Sequence, residues 1–143
     1  MKGFNILGII VALVLLEVLG FAWYGPLFGA PWTDAMRASG VQLHQPAAGP
    51  DVVMLSLGAL NSLIVIIGIN WLLNRLGALN LMNALVSAAI AWFFFDLTTV
   101  LIGWLYMQQT LPLIVINSGF QFISYLISAF CVAVVRLPGR APA

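Results

Sequence analysis

The sequence predicts an all-α membrane protein, a four-transmembrane-helix bundle with a short interfacial helix after the first span. Three observations predict it. Apolar residues fill 63% of the 143 positions and charged residues only 6%, whereas soluble domains carry about 25% charged residues. Mean hydropathy is +1.10. The apolar residues are gathered into four runs, each close to the roughly 20 residues that carry a helix across ~30 Å of hydrocarbon. Lipid offers no partners to backbone groups, so a crossing segment must close its own hydrogen bonds. Barrel strands would be about 10 residues of alternating character, and these runs do not alternate.

The runs cover residues 4–23, 52–73, 81–105 and 111–135, within one domain spanning 1–143. The first follows Met1-Lys2 as a secretory signal would, but it exceeds the ~7–15 residues of a signal core. It also holds Glu17 and lacks a small-x-small cleavage site, so it reads as a retained span. Residues 24–51 form the one substantial loop, with Gly25, Pro26, Gly29, Pro31, Gly40, Pro46, Gly49 and Pro50. Inside it, residues 31–40 read as a short helix at the membrane surface. Proline suits a first turn, Asp34 favours the positive end of the dipole, and Gly40 suits the position after the last helical residue. Trp23, Tyr24 and Trp32 bracket this segment as an interfacial aromatic belt would. A tight turn at Asn74-Arg75-Leu76-Gly77 joins spans two and three. Gln108-Gln109-Thr110 with Pro112 marks the last connection.

Basic residues in short loops orient such a chain. Lys2, Arg75, Arg136 and Arg140 fall on the side of the termini and Arg37 alone on the other. This predicts cytoplasmic N- and C-termini with the 24–51 loop outside. A net charge of +1 gives no reason to expect nucleic acid as a partner.

Two acids fall inside spans, Glu17 in the first and Asp96 in the third. A mid-helix acid costs a few kcal/mol on insertion scales, so such residues usually face the interior of a bundle. Counted along their helices, both reach the outer half at similar depth. No lysine or arginine lies beside them, so desolvation favours the protonated carboxyls. On the fourth span Asn117, Gln121, Ser124 and Ser128 recur at i, i+4, i+7 and i+11, one helix face. Asn61 of the second span and Thr99, three residues after Asp96, are placed to join them. Glu17, Gly20 and Tyr24 share a face of the first helix, and Trp92, Asp96, Thr99 and Gly103 a face of the third. The expected site is a polar cluster of Glu17, Asp96, Asn117, Gln121, Tyr24, Thr99 and Asn61 opening toward the outer loop. The alternative reading is structural, since polar side chains also clasp membrane helices together.

Other chemistry is not supported. His44 is the single histidine and lies in the Pro/Gly-rich loop, while Cys131 is the single cysteine and sits in an apolar stretch. No metal or cofactor is expected, and no nucleophile–base set, haem, zinc-helix or phosphate-loop motif occurs. The chain does not read as an enzyme. Trp92-Phe93-Phe94-Phe95 reads as a lipid- or helix-facing run. Small residues Ser87, Ala88 and Ala91 would permit close approach of another helix. A homo-oligomer or a larger membrane complex is therefore expected.

The most distinctive segment is Val18-Leu19-Gly20-Phe21-Ala22-Trp23-Tyr24-Gly25-Pro26-Leu27-Phe28-Gly29-Ala30-Pro31-Trp32. It resembles the signature of a family of small bacterial membrane proteins catalogued as domain of unknown function 1761, whose first span ends Gly-x-x-Trp-Tyr-x-Pro-Leu-Phe-Gly-x-x-Trp. Ile116-Asn117-Ser118-Gly119-Phe120-Gln121 is similar to that family's last span, where Asn-x-Gly-aromatic is typical. The resemblance implies a four-helix domain in a bacterial inner membrane and brings no activity with it. Read mechanically, Tyr24-Gly25-Pro26 is a helix stop at the interface, since Pro26 cannot donate to the ladder. A more distant resemblance is to the small multidrug resistance proteins, through Glu17 in the first helix. The length, the 24–51 loop and the absence of an Ala-Tyr-Ala-x-Trp segment in the third span argue against it. Two functions follow as expectations. One is moving or sensing a proton or small ligand through the polar cluster. The other is service as a non-catalytic structural or accessory subunit.

Overall fold

The computed structural model describes residues 5–42, 51–78 and 80–135. Lys2, Arg136 and Arg140, on which most of the charge bias rests, lie outside these residues, as do His44, Pro46, Gly49 and Pro50. The described residues form α1 (Ile6–Ala22), α2 (Gly29–Ala38), α3 (Val52–Leu76), α4 (Leu81–Ala91), α5 (Leu97–Tyr106) and α6 (Leu111–Val134). Two π-helical turns, Trp23–Leu27 and Trp92–Asp96, extend α1 and join α4 to α5. Four helices, Ile6–Leu27, Val52–Leu76, Leu81–Tyr106 and Leu111–Val134, are long and apolar enough to cross a membrane. The expected four-helix membrane bundle is therefore present. Its spans match the sequence reading within a few residues at each end.

The last span is the axis of the bundle. It packs against α1, α3, α4 and α5 and also receives α2, while α1 packs on α3 and α3 meets α4. Neither α4 nor α5 packs substantially on α1, so the first and third spans lie on different sides of α6. Small side chains set the spacing. Ala84 and Ala88 of α4 pack against Ala129, Val132 and Ala133 of α6, with Ile69, Leu73 and Ala78 completing the cluster. A second cluster joins Ala12 and Leu16 of α1 to Ile66 and Cys131. Ala88 and Ala91, expected to meet another chain, are thus buried within this one.

The turns follow from local chemistry. Asn5 Oδ1 accepts from Gly8 N at 3.0 Å and caps α1. Its Nδ2 donates to the carbonyls of Val132 and Val135, tying the start of α1 to the end of α6. At Gly8 a Cβ would lie 2.7 Å from the Cys131 carbonyl oxygen, so only glycine allows this crossing. α2 ends in a left-handed Gly40 (φ 74°), with Val41 N bonded to Met36 O and Gly40 N to Arg37 O. This is the Schellman closure that the glycine's position implied. Because α2 begins at Gly29, Asp34 lies beyond its first turn. It pairs instead with Arg37 at 3.7 Å on the surface. α3 runs to Leu76 and closes the same way at Gly77 (φ 65°), with Ala78 N donating to Leu73 O.

Regular helix stops at Tyr24-Gly25-Pro26, as its glycine and proline implied, without releasing the chain into an open loop. The chain continues through a π turn closed by Phe28 N donating to Trp23 O at 2.8 Å. Gly25 leaves helical geometry there (φ −104°, ψ −105°) and kinks the chain. Pro26 lacks an N–H and helps to bend the ladder. The result redirects the chain into α2 and lays it back across α6.

A clasp of aromatic side chains around Asn117

The end of the bundle that carries residues 23–39 holds the most specific geometry in the chain. The kink points three aromatic side chains at the first two turns of α6. Trp23 Nε1 donates to Ile116 O at 3.1 Å. The Tyr24 hydroxyl donates to Asn117 Oδ1 at 3.2 Å, and Trp32 Nε1 donates to the same oxygen at 3.1 Å. An indole N–H can only donate, so the atom it meets must be the amide oxygen. The Asn117 NH2 group takes no part in either bond.

Ring packing completes the clasp. Tyr24 lies edge-on to Trp32 with centroids 5.3 Å apart and 5.1 Å from Phe120, while Trp23 lies 4.6 Å from Phe28. Gly119 makes room for one of these rings, since a Cβ there would sit 3.2 Å from Trp23; at Gly20 a Cβ would be in ordinary contact with Phe120 at 3.8 Å. The Gly20–Trp32 segment and the Asn117–Phe120 segment, some 90 residues apart in sequence, are therefore two halves of one packed unit. α2 is stapled down a second time at its far end. Thr110 N donates to Ser39 Oγ at 3.0 Å and Thr110 Oγ1 to Ala35 O at 3.2 Å.

Beside the clasp lies an open cleft of about 530 Å³, lined by Tyr24, Trp32, Asn117, Asp51, Met54 and Leu55. Its far wall is the first turn of α3, capped by Asp51, whose Oδ1 accepts from Val53 N and Met54 N at 3.0 and 3.1 Å. Every residue from Val52 to Gly58 is exposed. The half of α3 nearest the cleft thus stands away from the bundle, while Ile66, Ile69, Asn70 and Leu73 bury the other half. Asp51, Met54 and Leu55 did not enter the sequence-based site. The one signal for them was Asp51 at the boundary between loop and span.

The polar cluster expected from the sequence divides into separate parts. Asn117 and Tyr24 meet, as described. Glu17 is exposed, on a face of α1 directed away from the core. The helices bearing Glu17 and Asp96 pack on α6 and not substantially on each other, so no acid pair forms. Asn61 is exposed on the splayed part of α3. Thr99 is also exposed and returns its hydroxyl to Phe95 O at 2.7 Å. The π turn ends at Asp96, so it rotates Asp96 and Thr99 together. The three residues of helix between them set the two about 60° apart, and Thr99 falls on the exposed side. Asp96 is half-buried, and its Oδ2 is buried without a hydrogen bond among the described residues. It lies within electrostatic reach of Tyr125 on α6.

Of the α6 stripe, Ser124 and Ser128 are buried but bond their own helix, donating to Phe120 O and Ser124 O at 2.8 and 2.7 Å. Gln121 is half-buried. Trp92 donates to Ser118 O at 3.2 Å and packs at a tilt against Phe122 at 4.6 Å, whereas Phe93, Phe94 and Phe95 are exposed. Asn70 of α3 is fully buried, and Asn74 Nδ2 donates to its Oδ1 at 3.1 Å. No group of histidine, cysteine and acid side chains that could hold a metal occurs among the described residues.

A model of the family described as Protein of unknown function (DUF1761) matches residues 7–133. No curated protein and no solved structure matches the chain.

Proposed function

The chain belongs to the DUF1761 family, and from the geometry of its clasp we propose that it is a non-enzymatic membrane protein that binds a small amphipathic ligand in the cleft beside Asn117. One observation carries this reading. The cleft puts the rings of Tyr24 and Trp32 and the side chains of Met54 and Leu55 around a single amide whose N–H groups are not used by the clasp. Ligand sites combine apolar walls with a few fixed polar groups in this way. Rings and aliphatic side chains would take the apolar body of a ligand, and Asn117 Nδ2 would donate to its carbonyl, hydroxyl or ether oxygen. The hydrogen bonds of Tyr24 and Trp32 hold this surface ready before binding, which lowers the ordering cost.

The charge bias of the loops supports placing the cleft on the outer side of a bacterial inner membrane, with both termini cytoplasmic. A ligand would then enter from the outer face or the outer leaflet. Movement or sensing of a proton, if part of the function, would rest on Asp96 without Glu17. A second reading, an accessory subunit of a membrane complex or homo-oligomer, is favoured by a separate observation. Glu17 and the first turns of α3 face away from the chain's own core.

Native mass spectrometry of the protein released from its own membranes tests the ligand reading. The wild type should carry a small-molecule adduct. Asn117→Asp, which keeps an acceptor for Tyr24 and Trp32 but loses the amide donor, should lose most of it. Leu55→Trp, which fills the cleft from an exposed position, should lose it entirely. Equal adducts in all three proteins, or none in the wild type, would sink the proposal.

A further inference from the structure

Glu17 stands in the middle of a span, on a face that no part of the described chain covers. A carboxyl in hydrocarbon without a hydrogen-bond partner is costly. Its neighbours on that face have a particular spacing. Ile10, Val14, Glu17 and Phe21 follow one another at intervals of four, three and four residues, and Leu7 continues the pattern toward the start of α1. Ile10, Val14 and Phe21 are 55%, 58% and 80% exposed. This is a heptad seam, with Ile10 and Glu17 at one core position and Leu7, Val14 and Phe21 at the other. Such seams pack two helices side by side, and one polar residue at a core position fixes register and pairing.

The chemistry selects the occupant. All copies of one chain insert with the same orientation, so a two-fold axis along the membrane normal sets α1 parallel to its copy. Equivalent core positions then meet, and Glu17 lies opposite Glu17. The one basic residue in a described span is Arg75, in the last turn of α3 at the opposite end of the bundle, so a second copy offers no cation at this depth. The group it does offer is the same carboxyl. Two protonated carboxyls complement each other, because each is both donor and acceptor.

We propose that α1 is a homodimer interface in which the Leu7–Ile10–Val14–Glu17–Phe21 seam packs on its copy and the two Glu17 carboxyls hydrogen-bond across the two-fold axis. This pairing is independent of the ligand reading, since Glu17 faces outward and does not line the cleft. It leaves the clasp around Asn117 unchanged.

Cysteine cross-linking of the full chain in native membranes, in a Cys131→Ala background, tests the seam. Ile10→Cys and Val14→Cys should give disulfide-linked dimers on mild oxidation. Leu15→Cys, exposed but about a third of a turn away, should give little. Fluorescence energy transfer between labelled copies in phosphatidylcholine–phosphatidylglycerol vesicles tests the carboxyl pair. Glu17→Gln, which keeps donor and acceptor, should retain dimerisation. Glu17→Leu should weaken it about tenfold, the effect of one lost interhelical hydrogen-bonded pair, and Glu17→Lys should abolish it. The proposal is overturned by equal cross-linking at positions 10, 14 and 15, or by none at 10 and 14. Energy transfer unchanged in Glu17→Lys would overturn it too.

Discussion

The two ends of the bundle are held by different physics. At the end bearing Asn5 and Gly77, helices touch through small side chains: Gly8 against the Cys131 carbonyl, Ala84 and Ala88 against Ala129 and Ala133. At the other end, α3 stands off, and the chain is held by indole and hydroxyl donors aimed at Asn117 and at the Ile116 carbonyl. Close packing gains dispersion from every atom pair and leaves no room. Directed hydrogen bonds fix a few atoms and tolerate space beside them. The difference assigns the tight end as the foundation and the clasped end as the place where a cleft can persist.

The largest effect expected from breaking this contrast is at the tight end. Gly8→Leu would force a side chain into the backbone of α6, 2.7 Å from the Cys131 oxygen at the Cβ alone. Overpacking of this kind costs about 3 kcal/mol, and thermal unfolding in mild detergent should show it as a large loss of stability. A variant that melted like the wild type would mean that the crossing is looser than its geometry. Next in size is the clasp. Asn117→Leu leaves the Tyr24 and Trp32 donors without their acceptor, at a cost of about 1 kcal/mol each. The same melting experiment should therefore place it near 2 kcal/mol, with Asn117→Asp losing much less. If Asn117→Asp lost as much as Asn117→Leu, the oxygen would not be what holds the clasp.

Hydropathy is a local property, and the four spans were accordingly legible to within a few residues. The clasp was half legible. Gly20–Trp32 and Asn117–Phe120 stood out as motifs, but nothing local says that residues some 90 positions apart will meet. The direction of Glu17 was not legible at all. Lipid-facing positions are as apolar as core positions, so Ile10, Val14 and Phe21 offered no contrast from which to read a buried side. The second π turn was hidden for the same reason. Trp92-Phe93-Phe94-Phe95 is apolar on every face, and an inserted residue there leaves no break in the pattern.

A smaller effect is expected where a polar side chain serves only its own helix. Ser124 is buried beside the α6 axis, yet its hydroxyl bonds Phe120 O one turn earlier. Ser124→Ala removes a donor and leaves a carbonyl that is already in the helical ladder, so melting should shift by no more than about 0.5 kcal/mol. A loss as large as that of Asn117→Leu would show the serine stripe to be a clasp after all.

The smallest effect should come from Thr99, and it bears most directly on where function lies. Periodicity placed Thr99 near one face with Asp96, about 60° around the helix from it. That offset leaves Thr99 exposed, with its hydroxyl bonded back to Phe95 O of its own span. Thr99→Val keeps the shape and removes the hydroxyl, so neither melting nor the adduct seen by native mass spectrometry should change measurably. If Thr99→Val lost the adduct while Asn117→Asp kept it, the ligand would sit along the third span and not beside the clasp. The contrast between the two ends of the bundle would then concern stability alone, and the half-buried Asp96 would become the residue around which a function has to be built.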